Sequence, residues 1–180
     1  MLARYNFAAR MLAGYREVLE VGCADGFGAR VVRQALAPFG QLLAVDVDER
    51  SIEEARRLHY SVTWPVEYRV HDILRGPLPG HDAVYSLDVF EHIAPESEHR
   101  FLYNLRESAP VAIIGTPSLE SQPYASALSR AGHVNCKSGE QLREALLRHW
   151  RHVFLFGMND QALHTGLPEM SHYLLALAVA

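Results

Sequence analysis

Three glycines closely follow the acidic residue Glu20 near the start of the chain, in the run Glu20-Val-Gly22-Cys-Ala-Asp-Gly26-Phe-Gly28. Glycine adopts backbone conformations that are closed to other residues, so a glycine-rich turn lets the backbone approach a ligand closely. When such a turn leads from a strand into a helix, the first amide groups of the helix point at the ligand. The run therefore predicts a cofactor-binding turn.

The spacing of these glycines disfavours a dinucleotide. The pattern G-x-G-x-x-G, started at Gly22, would require glycines at positions 24 and 27, where the chain has Ala24 and Phe27. The third glycine of that pattern permits close packing of the helix on the strand, and a phenylalanine opposes such packing. A nicotinamide-dependent oxidoreductase is therefore the weaker alternative.

Two further carboxylates follow predicted strands. Asp46 ends the second strand, 24 residues after Gly22, and Asp72 follows the third. A carboxylate at the first of these positions can accept hydrogen bonds from both hydroxyls of a ribose. Each residue alone is more often a polar strand end or a turn cap. Their shared place at the carboxyl ends of strands, where open α/β sheets bind ligands, favours one common site.

In these residues the chain resembles the class I S-adenosylmethionine-dependent methyltransferases. The first motif of that family, acidic-x-Gly-x-Gly-x-Gly, matches Glu20, Gly22 and Gly26, and Ala24 is the one departure. We expect the extra methyl group of Ala24 to tighten the turn slightly without blocking it. The segment Ser86-Leu-Asp-Val-Phe-Glu-His-Ile93 is similar to the "dVlEHi" segment that follows the fourth strand of the family.

The resemblance implies S-adenosylmethionine as the cofactor, with Asp46 against the ribose and Asp72 against the adenine amino group. The cofactor-binding residues that it implies are Tyr5, Glu20, Gly22, Ala24, Gly26, Asp46, Val47, Asp72, Ile73 and Leu87. The opening Arg4-Tyr5-x-Phe-Ala-Ala9 is similar to a short helix that precedes the first motif in one branch of the family. In that branch the Arg and Tyr reach the carboxylate of the cofactor; an ordinary surface helix is the alternative.

Methyl transfer to a hydroxyl also needs a base, and the ordinary pKa of histidine suits that role. Among the ten histidines, His92 follows the motif beside the expected methyl site, although capping or packing of the next helix is an equal alternative. His133 is the second candidate, in the long connection 116–137, which in the family helps to build the acceptor pocket. From the same connection, Tyr124 and Asn135 could bind the acceptor by orienting its hydroxyl.

The sequence contains no complete set of metal ligands. His133-x-x-Cys136 and the adjacent Glu91-His92 are loose pairs that lack the spacing of a zinc site. We therefore expect no metal.

Strand-length apolar runs alternate with helical patterns, which predicts βαβ units. The fold expected is a Rossmann-like, doubly wound α/β sheet of seven strands, mainly parallel, with an antiparallel strand in a C-terminal hairpin. The strands are predicted at 17–21, 42–46, 66–70, 83–87, 111–115, 152–158 and 172–179. Helices are predicted from about Gly28 to Ala37, from Asp48 or Ser51, from Pro95 to about Glu107, and from Ser138.

Composition limits the class of protein. The 180 residues are 49% hydrophobic and 21% charged, which excludes a disordered or collagen-like chain and predicts a single domain over residues 1–180. The net charge of −4 offers no basic field for nucleic acid. The longest apolar run, 174–180, is far below the ~20 residues of a membrane span. Two distant cysteines and an N-terminus interrupted by Arg4 and Arg10 favour a cytoplasmic location.

Taken together, these features predict methyl transfer from S-adenosylmethionine to a small-molecule or glycan-type (sugar-type) acceptor, at oxygen. No nucleic-acid or membrane partner is expected, and the oligomeric state stays open, with a homodimer as one option. The alternative is a non-catalytic, methyltransferase-like module that binds the cofactor or serves a partner.

Overall fold

The protein is described here by a computed structural model that covers residues 1–36, 38–59 and 63–180; the predicted helix end at Ala37 lies outside them. The helices are α1 (Leu2–Met11), α2 (Phe27–Leu36), α3 (Glu49–His59), α4 (Glu98–Ser108), α5 (Ala127–Gly132) and α6 (Gly139–Leu147). The strands are β1 (Glu17–Val21), β2 (Gln41–Asp46), β3 (Glu67–Val70), β4 (Ala83–Leu87), β5 (Val111–Pro117), β6 (His152–Asn159), β7 (Ala162–His164) and β8 (Tyr173–Val179).

All eight strands form one sheet in the order β3-β2-β1-β4-β5-β8-β6-β7. The first five are parallel, and β8 runs antiparallel to both β5 and β6. This confirms the mainly parallel sheet with an antiparallel C-terminal strand, and the weakly apolar β3 lies at an edge. The predicted count of seven strands was wrong, because β7 pairs with β6 as an eighth. Its three residues are too few and too exposed to show an alternating pattern.

Helices cover both faces of the sheet, as a doubly wound fold requires. The first face buries apolar side chains of α1, α2 and α3, among them Phe7, Val32 and Ile52. The second face packs against α4 and α6, through residues such as Phe101 and Leu146. Because successive strand residues point to opposite faces, each buried strand supplies both cores.

The helix starts use the caps that the sequence offers. Ser138 and Gln141 form the predicted capping box at the start of α6. At α3, the side chain of Asp48 accepts hydrogen bonds from both the amide and the hydroxyl of Ser51. Asp48 is therefore the cap, and the alternative start at Ser51 is not used.

One edge of the sheet collects the carboxyl ends of the parallel strands, and we call it the carboxyl edge. The connection from β3 crosses to β4 with only a short 3₁₀ turn at Ile73–Arg75, so no helix covers that crossing. Segments that follow β1 to β5 therefore meet at this edge, where open α/β sheets bind ligands. Within the described ranges of the chain, every helix is too short or too polar to span a membrane.

Candidate active site

The glycine loop after β1 is held close to the ends of β2 and β4. The amides of Gly22 and Cys23 both donate to the carbonyl of Val45, at 2.8 and 3.1 Å. Gly22 has φ of 84°, and a Cβ atom built there would lie 2.1 Å from Cγ2 of Val89. Both the backbone conformation and the contact therefore require glycine at this position.

Ala24 occupies the middle of the loop in a left-handed conformation, with φ of 46°. This conformation costs a residue with a Cβ roughly 1–2 kcal/mol. The Ala24 amide donates to Oδ2 of Asp46 at 2.9 Å, and Oδ1 of the same carboxylate accepts from the Asp48 amide at 2.9 Å. Asp46 therefore holds the loop in place, and the exposed Ala24 methyl leaves the loop unobstructed.

A cleft of about 720 Å³ opens between this loop, α1 and the end of β4. Four of the predicted cofactor residues line it, namely Tyr5, Gly22, Ala24 and Leu87. Val47 and Asp72 line a separate hollow of about 280 Å³ beyond the end of β2. Such volumes are in or near the range of small-molecule sites.

Two other predicted cofactor residues, Gly26 and Ile73, lie behind these surfaces. Gly26 packs against Tyr68, since a Cβ atom there would lie 2.5 Å from the Tyr68 hydroxyl. Ile73 is buried in the second core. Asp72 uses one carboxylate oxygen to cap the turn that follows it, through the Leu74 amide at 2.9 Å. Its predicted contact with adenine stays a prediction.

Glu20 lies beneath the loop and is 2% exposed. Burial, with smaller contributions from Asp46 and Asp25, raises the pKa of its carboxyl to about 8. Its Oε2 atom has no hydrogen-bond partner among the described residues. The cleft itself is lined by the carboxylates of Asp25 and Asp88 and by no basic side chain among the described residues, which fits a ligand with hydroxyls, an amino group and positive charge, as S-adenosylmethionine has. It opposes the pyrophosphate of a dinucleotide.

Glu20 should make the stability of the protein depend on pH. A folded-state pKa near 8, above an ordinary value of about 4.3, means that the folded protein holds a proton that the unfolded chain has lost. The contribution of Glu20 to the free energy of unfolding should therefore fall as the pH rises from 5 to 8 and level off above 8, by roughly 4 kcal/mol at about 1.4 kcal/mol per pH unit.

Chemical denaturation of the wild type and of Glu20→Gln at several pH values measures this effect. Because burial also raises the pKa of the Glu91 carboxyl, to about 7, the glutamine variant should keep the Glu91 share of the slope below pH 7 and lose most of the slope between pH 7 and 8. It should also gain stability relative to the wild type at pH 8. The exposed Glu53→Gln is the control and should keep the wild-type slope. Parallel slopes in the wild type and Glu20→Gln would show that the buried carboxyl does not carry the extra proton.

Arg4 joins α1 to the end of β4. Its Nη1 atom donates to both carboxylate oxygens of Asp88, at 2.6 and 2.8 Å, and its guanidinium lies 3.7 Å above the ring of Tyr173. Asp88 follows Leu87 with φ of 59° and lines the 720 Å³ cleft. The predicted contact of Arg4 with the cofactor stays a prediction; the contact present is an ion pair at the wall of the cleft.

His92 and His133 meet next to this wall. Their ring centroids are 5.2 Å apart, although 41 residues separate them in sequence. His92 lies in the 3₁₀ turn Phe90–His92 after β4, and His133 follows α5 in the connection 116–137. Both predicted catalytic residues therefore lie at the carboxyl edge, in contact with each other.

Hydrogen bonds fix the same tautomer on both rings. Nδ1 of His92 lies 2.9 Å from the carbonyl of Gly132, and a carbonyl can only accept. Nδ1 of His133 lies 2.9 Å from Oε1 of Gln122, whose amide nitrogen donates elsewhere. In the neutral form of each ring, Nδ1 therefore carries the proton, and Nε2 is a bare acceptor that can take a proton or bind a cation.

Glu91 completes a group of three that sequence reasoning missed. It is 1% exposed, burial and the nearby Asp88 raise the pKa of its carboxyl to about 7, and its Oε2 accepts from the Thr116 hydroxyl at 3.1 Å. One ligand atom each from Glu91, His92 and His133 lies within 4.8 Å of the other two. This spacing can hold a metal ion. The sequence showed only the adjacent Glu91-His92 pair, because no pattern of neighbouring residues indicates that His133 contacts this pair in the fold.

The two predicted acceptor-binding residues have different surroundings. Tyr124 is 90% exposed at the end of a 3₁₀ turn, where it is free to meet an acceptor. Asn135 is 4% exposed, its side-chain amide donates to Glu98 at 3.0 Å, and its backbone amide donates to the Glu91 carbonyl. In this structure Asn135 therefore holds the connection in place, and contact with an acceptor hydroxyl is a prediction for Tyr124 rather than for Asn135.

Comparison with known proteins gives one family. The family described as "methyltransferase domain" matches residues 18–109, just over half of the chain, from β1 to the end of α4. A comparison with curated protein sequences finds no match.

Solved structures show the same fold at low sequence identity. The methyltransferase domain of bacterial CtHen1 is 16% identical with a TM-score of 0.76, covering 99% of this chain and 97% of that one. The small RNA methyltransferase HEN1 is 17% identical with a TM-score of 0.77, over 98% of this chain and 25% of that one. Magnesium protoporphyrin IX methyltransferase from Synechocystis PCC 6803 with bound SAM is 14% identical with a TM-score of 0.73, over 99% and 79%.

Proposed function

The chain belongs to the class I S-adenosylmethionine-dependent methyltransferases, through their methyltransferase-domain family, and on that premise we propose that it methylates a hydroxyl of a small-molecule or sugar-type acceptor. One observation carries the proposal: the bare Nε2 atoms of His92 and His133 lie together at the edge that holds the cofactor cleft. A group that receives a proton there suits a hydroxyl acceptor.

Different residues around the cleft are proposed to bind different parts of the cofactor. S-adenosylmethionine, when bound, supplies an activated methyl group on a sulfonium. The Asp46 carboxylate, which holds the glycine loop, would bind the ribose hydroxyls of the cofactor, and Tyr5 lines the cleft from α1. Binding the reactants in one place supplies much of the rate of such a transfer, because position and exclusion of water matter more than acid or base strength.

Isothermal titration with S-adenosylmethionine, S-adenosylhomocysteine and NAD tests the cofactor part of this proposal. We expect saturable binding of the first two and none of NAD. A chain that bound none of the three would be the non-catalytic module that was the alternative, and binding of NAD alone would support the oxidoreductase.

A divalent cation is the second candidate for activating the acceptor hydroxyl, and the cluster of three possible ligands favours it. Glu91, His92 and His133 would hold it, and it would lower the pKa of an acceptor hydroxyl. The mixed carboxylate and imidazole donor set suits zinc, manganese or iron better than calcium. This candidate differs from the expectation of no metal, because the fold adds His133 to a pair that the sequence left incomplete.

If a cation rather than an imidazole activates the acceptor hydroxyl, removal of metal should reduce methyl transfer. After dialysis against EDTA we expect at least a tenfold loss of turnover, with recovery on addition of Mn²⁺ or Zn²⁺ and no change in affinity for S-adenosylhomocysteine. The Cys136→Ser variant, which changes a thiol close to the cluster in sequence, is the control and should respond in the same way. Full activity after dialysis would return the role of base to an imidazole alone, as the sequence suggested.

The connection 116–137 limits the size of the acceptor that the site can enclose. It forms only a 3₁₀ turn at Leu119–Tyr124 and the short α5, and the exposed Tyr124 lies on it. A connection this short can cover only a small polar molecule or one exposed end of a larger molecule. A ribose at the end of an RNA presents such a hydroxyl, and two of the similar structures are Hen1 proteins. Short oligoribonucleotides therefore belong among the acceptors tested, and their methylation would replace the expectation of no nucleic-acid partner.

A further inference from the structure

A second hollow lies at the opposite edge of the sheet, where the parallel strands begin; we call it the amino-edge hollow. Its volume is about 660 Å³, and its walls come from the starts of β1, β2 and β3, from α2 and from the loop before β4. The strands of five or six residues place it roughly 17 Å from the carboxyl edge. It is therefore a site distinct from the cofactor cleft.

Arg33, on α2, lines this hollow and is 6% exposed. Its Nε donates to the carbonyl of Pro65 at 3.0 Å, and its guanidinium lies 5.5 Å from the centre of the Trp64 ring. Its Nη1 is buried and has no hydrogen-bond partner among the residues that the structure describes. Arginine is almost never this buried unless it is paired. A buried guanidinium donor without an acceptor marks a place where an acceptor group is missing.

The other charged groups of the hollow do not supply that acceptor. Glu67 is paired with Arg69 at 2.7 Å. Within the described part of the chain, the ion pairs include none to Arg33. Nδ1 of His81 donates to the Leu78 carbonyl at 2.8 Å, so this nitrogen is not an acceptor for Arg33. Among the described residues, the Arg33 guanidinium thus lines the hollow without an ion-pair partner.

We propose that the amino-edge hollow binds a small ligand that carries one carboxylate on an apolar body, with the carboxylate received by Arg33. The planar guanidinium matches the geometry of a carboxylate. Leu42, Val66 and Leu78 supply apolar wall for the body of the ligand. Arg33 can neutralise one negative charge of a ligand, whereas Glu17, which also lines the hollow, repels a second one. A doubly charged phosphate is therefore disfavoured. The proposal is independent of the methyl-transfer reaction.

Titration calorimetry of the full chain with sodium hexanoate tests it, with hexanamide as the neutral probe and inorganic phosphate as the dianion. We expect hexanoate to bind saturably, at least tenfold more tightly than either other probe. Arg33→Gln should weaken hexanoate binding at least tenfold. The exposed Arg57→Gln removes the same charge from the surface of α3, and its affinity for hexanoate should stay within twofold of the wild type.

Two further measurements keep the result decisive if Arg33→Gln fails to fold. Pro79→Trp places a bulky ring on the exposed rim of the hollow without touching Arg33 and should abolish hexanoate binding. Saturating S-adenosylhomocysteine should not compete with hexanoate. The proposal is overturned if hexanoate does not bind, if hexanamide binds equally well, if Pro79→Trp binds as the wild type does, or if S-adenosylhomocysteine displaces the probe.

Discussion

Replacing His133 by alanine should lower the turnover of methyl transfer by a factor of ~10²–10⁴, the usual contribution of a positioned acid or base. The reason is local: this side chain supplies one of the two bare Nε2 atoms at the carboxyl edge, and Gln122 fixes its tautomer at 2.9 Å. The variant keeps the glycine loop and Asp46, so the dissociation constant of S-adenosylhomocysteine should stay within about twofold. Steady-state assays and calorimetry on the same preparation measure the two quantities.

The matched control is His149→Ala. His149 also lies within hydrogen-bond distance of another ring, with its Nε2 3.2 Å from Nδ1 of His99, but this exposed pair joins the ends of α6 and α4 away from the cluster. It should leave turnover unchanged. If His133→Ala stays active while His92→Ala loses activity, the base is His92, and the connection 116–137 only positions the acceptor. Full activity in both variants would mean that the acceptor needs no base. An amine or an already ionised group would be such an acceptor.

Replacing Asp46 by alanine should weaken the binding of S-adenosylhomocysteine by one to two orders of magnitude. The carboxylate is expected to bind the ribose, and hydrogen bonds to a charged group contribute about 1.5–3 kcal/mol each. The structure adds a second reason, because both carboxylate oxygens also hold backbone amides, those of Ala24 and Asp48. Loss of the carboxylate therefore loosens the glycine loop as well. Calorimetry with the folded variant measures the change.

A neighbouring carboxylate provides the control for this prediction. Asp48→Ala removes the cap of α3, which costs about 1 kcal/mol of stability, but leaves the loop and the ribose position intact. Its affinity for S-adenosylhomocysteine should stay within about twofold of the wild type. An unchanged affinity in Asp46→Ala would remove this residue from the cofactor site.

The sequence was informative wherever one local pattern decides the structure. The capping box of α6, the buried strands and the glycine loop each depend on neighbouring residues, and each was predicted. The cap of α3 was open between two residues, since Asp48 and Ser51 both carry suitable side chains. The strand β7 was missed because its pairing with β6 depends on a two-residue turn and not on burial.

The parts of the site that could not be predicted depend on contacts between distant segments. Arg4 meets Asp88 across 84 residues, and the fold alone decides that α1 packs beside the end of β4. His133 reaches Glu91 and His92 only because the connection after β5 turns back, with the Glu91 carbonyl accepting two of its amides. For the same reason Asn135, which looked free to bind an acceptor, is buried against Glu98.

The most direct measurement of the central claim is transfer of a labelled methyl group. The purified chain is incubated with methyl-labelled S-adenosylmethionine and a pool of small polar metabolites, sugars and short oligoribonucleotides, and the labelled product is identified by mass spectrometry. We expect one class of hydroxyl compound to gain the label as a methyl ether, with the yield falling at least a hundredfold in His133→Ala. A wild-type chain that binds S-adenosylmethionine but transfers no label to any hydroxyl compound would contradict the account.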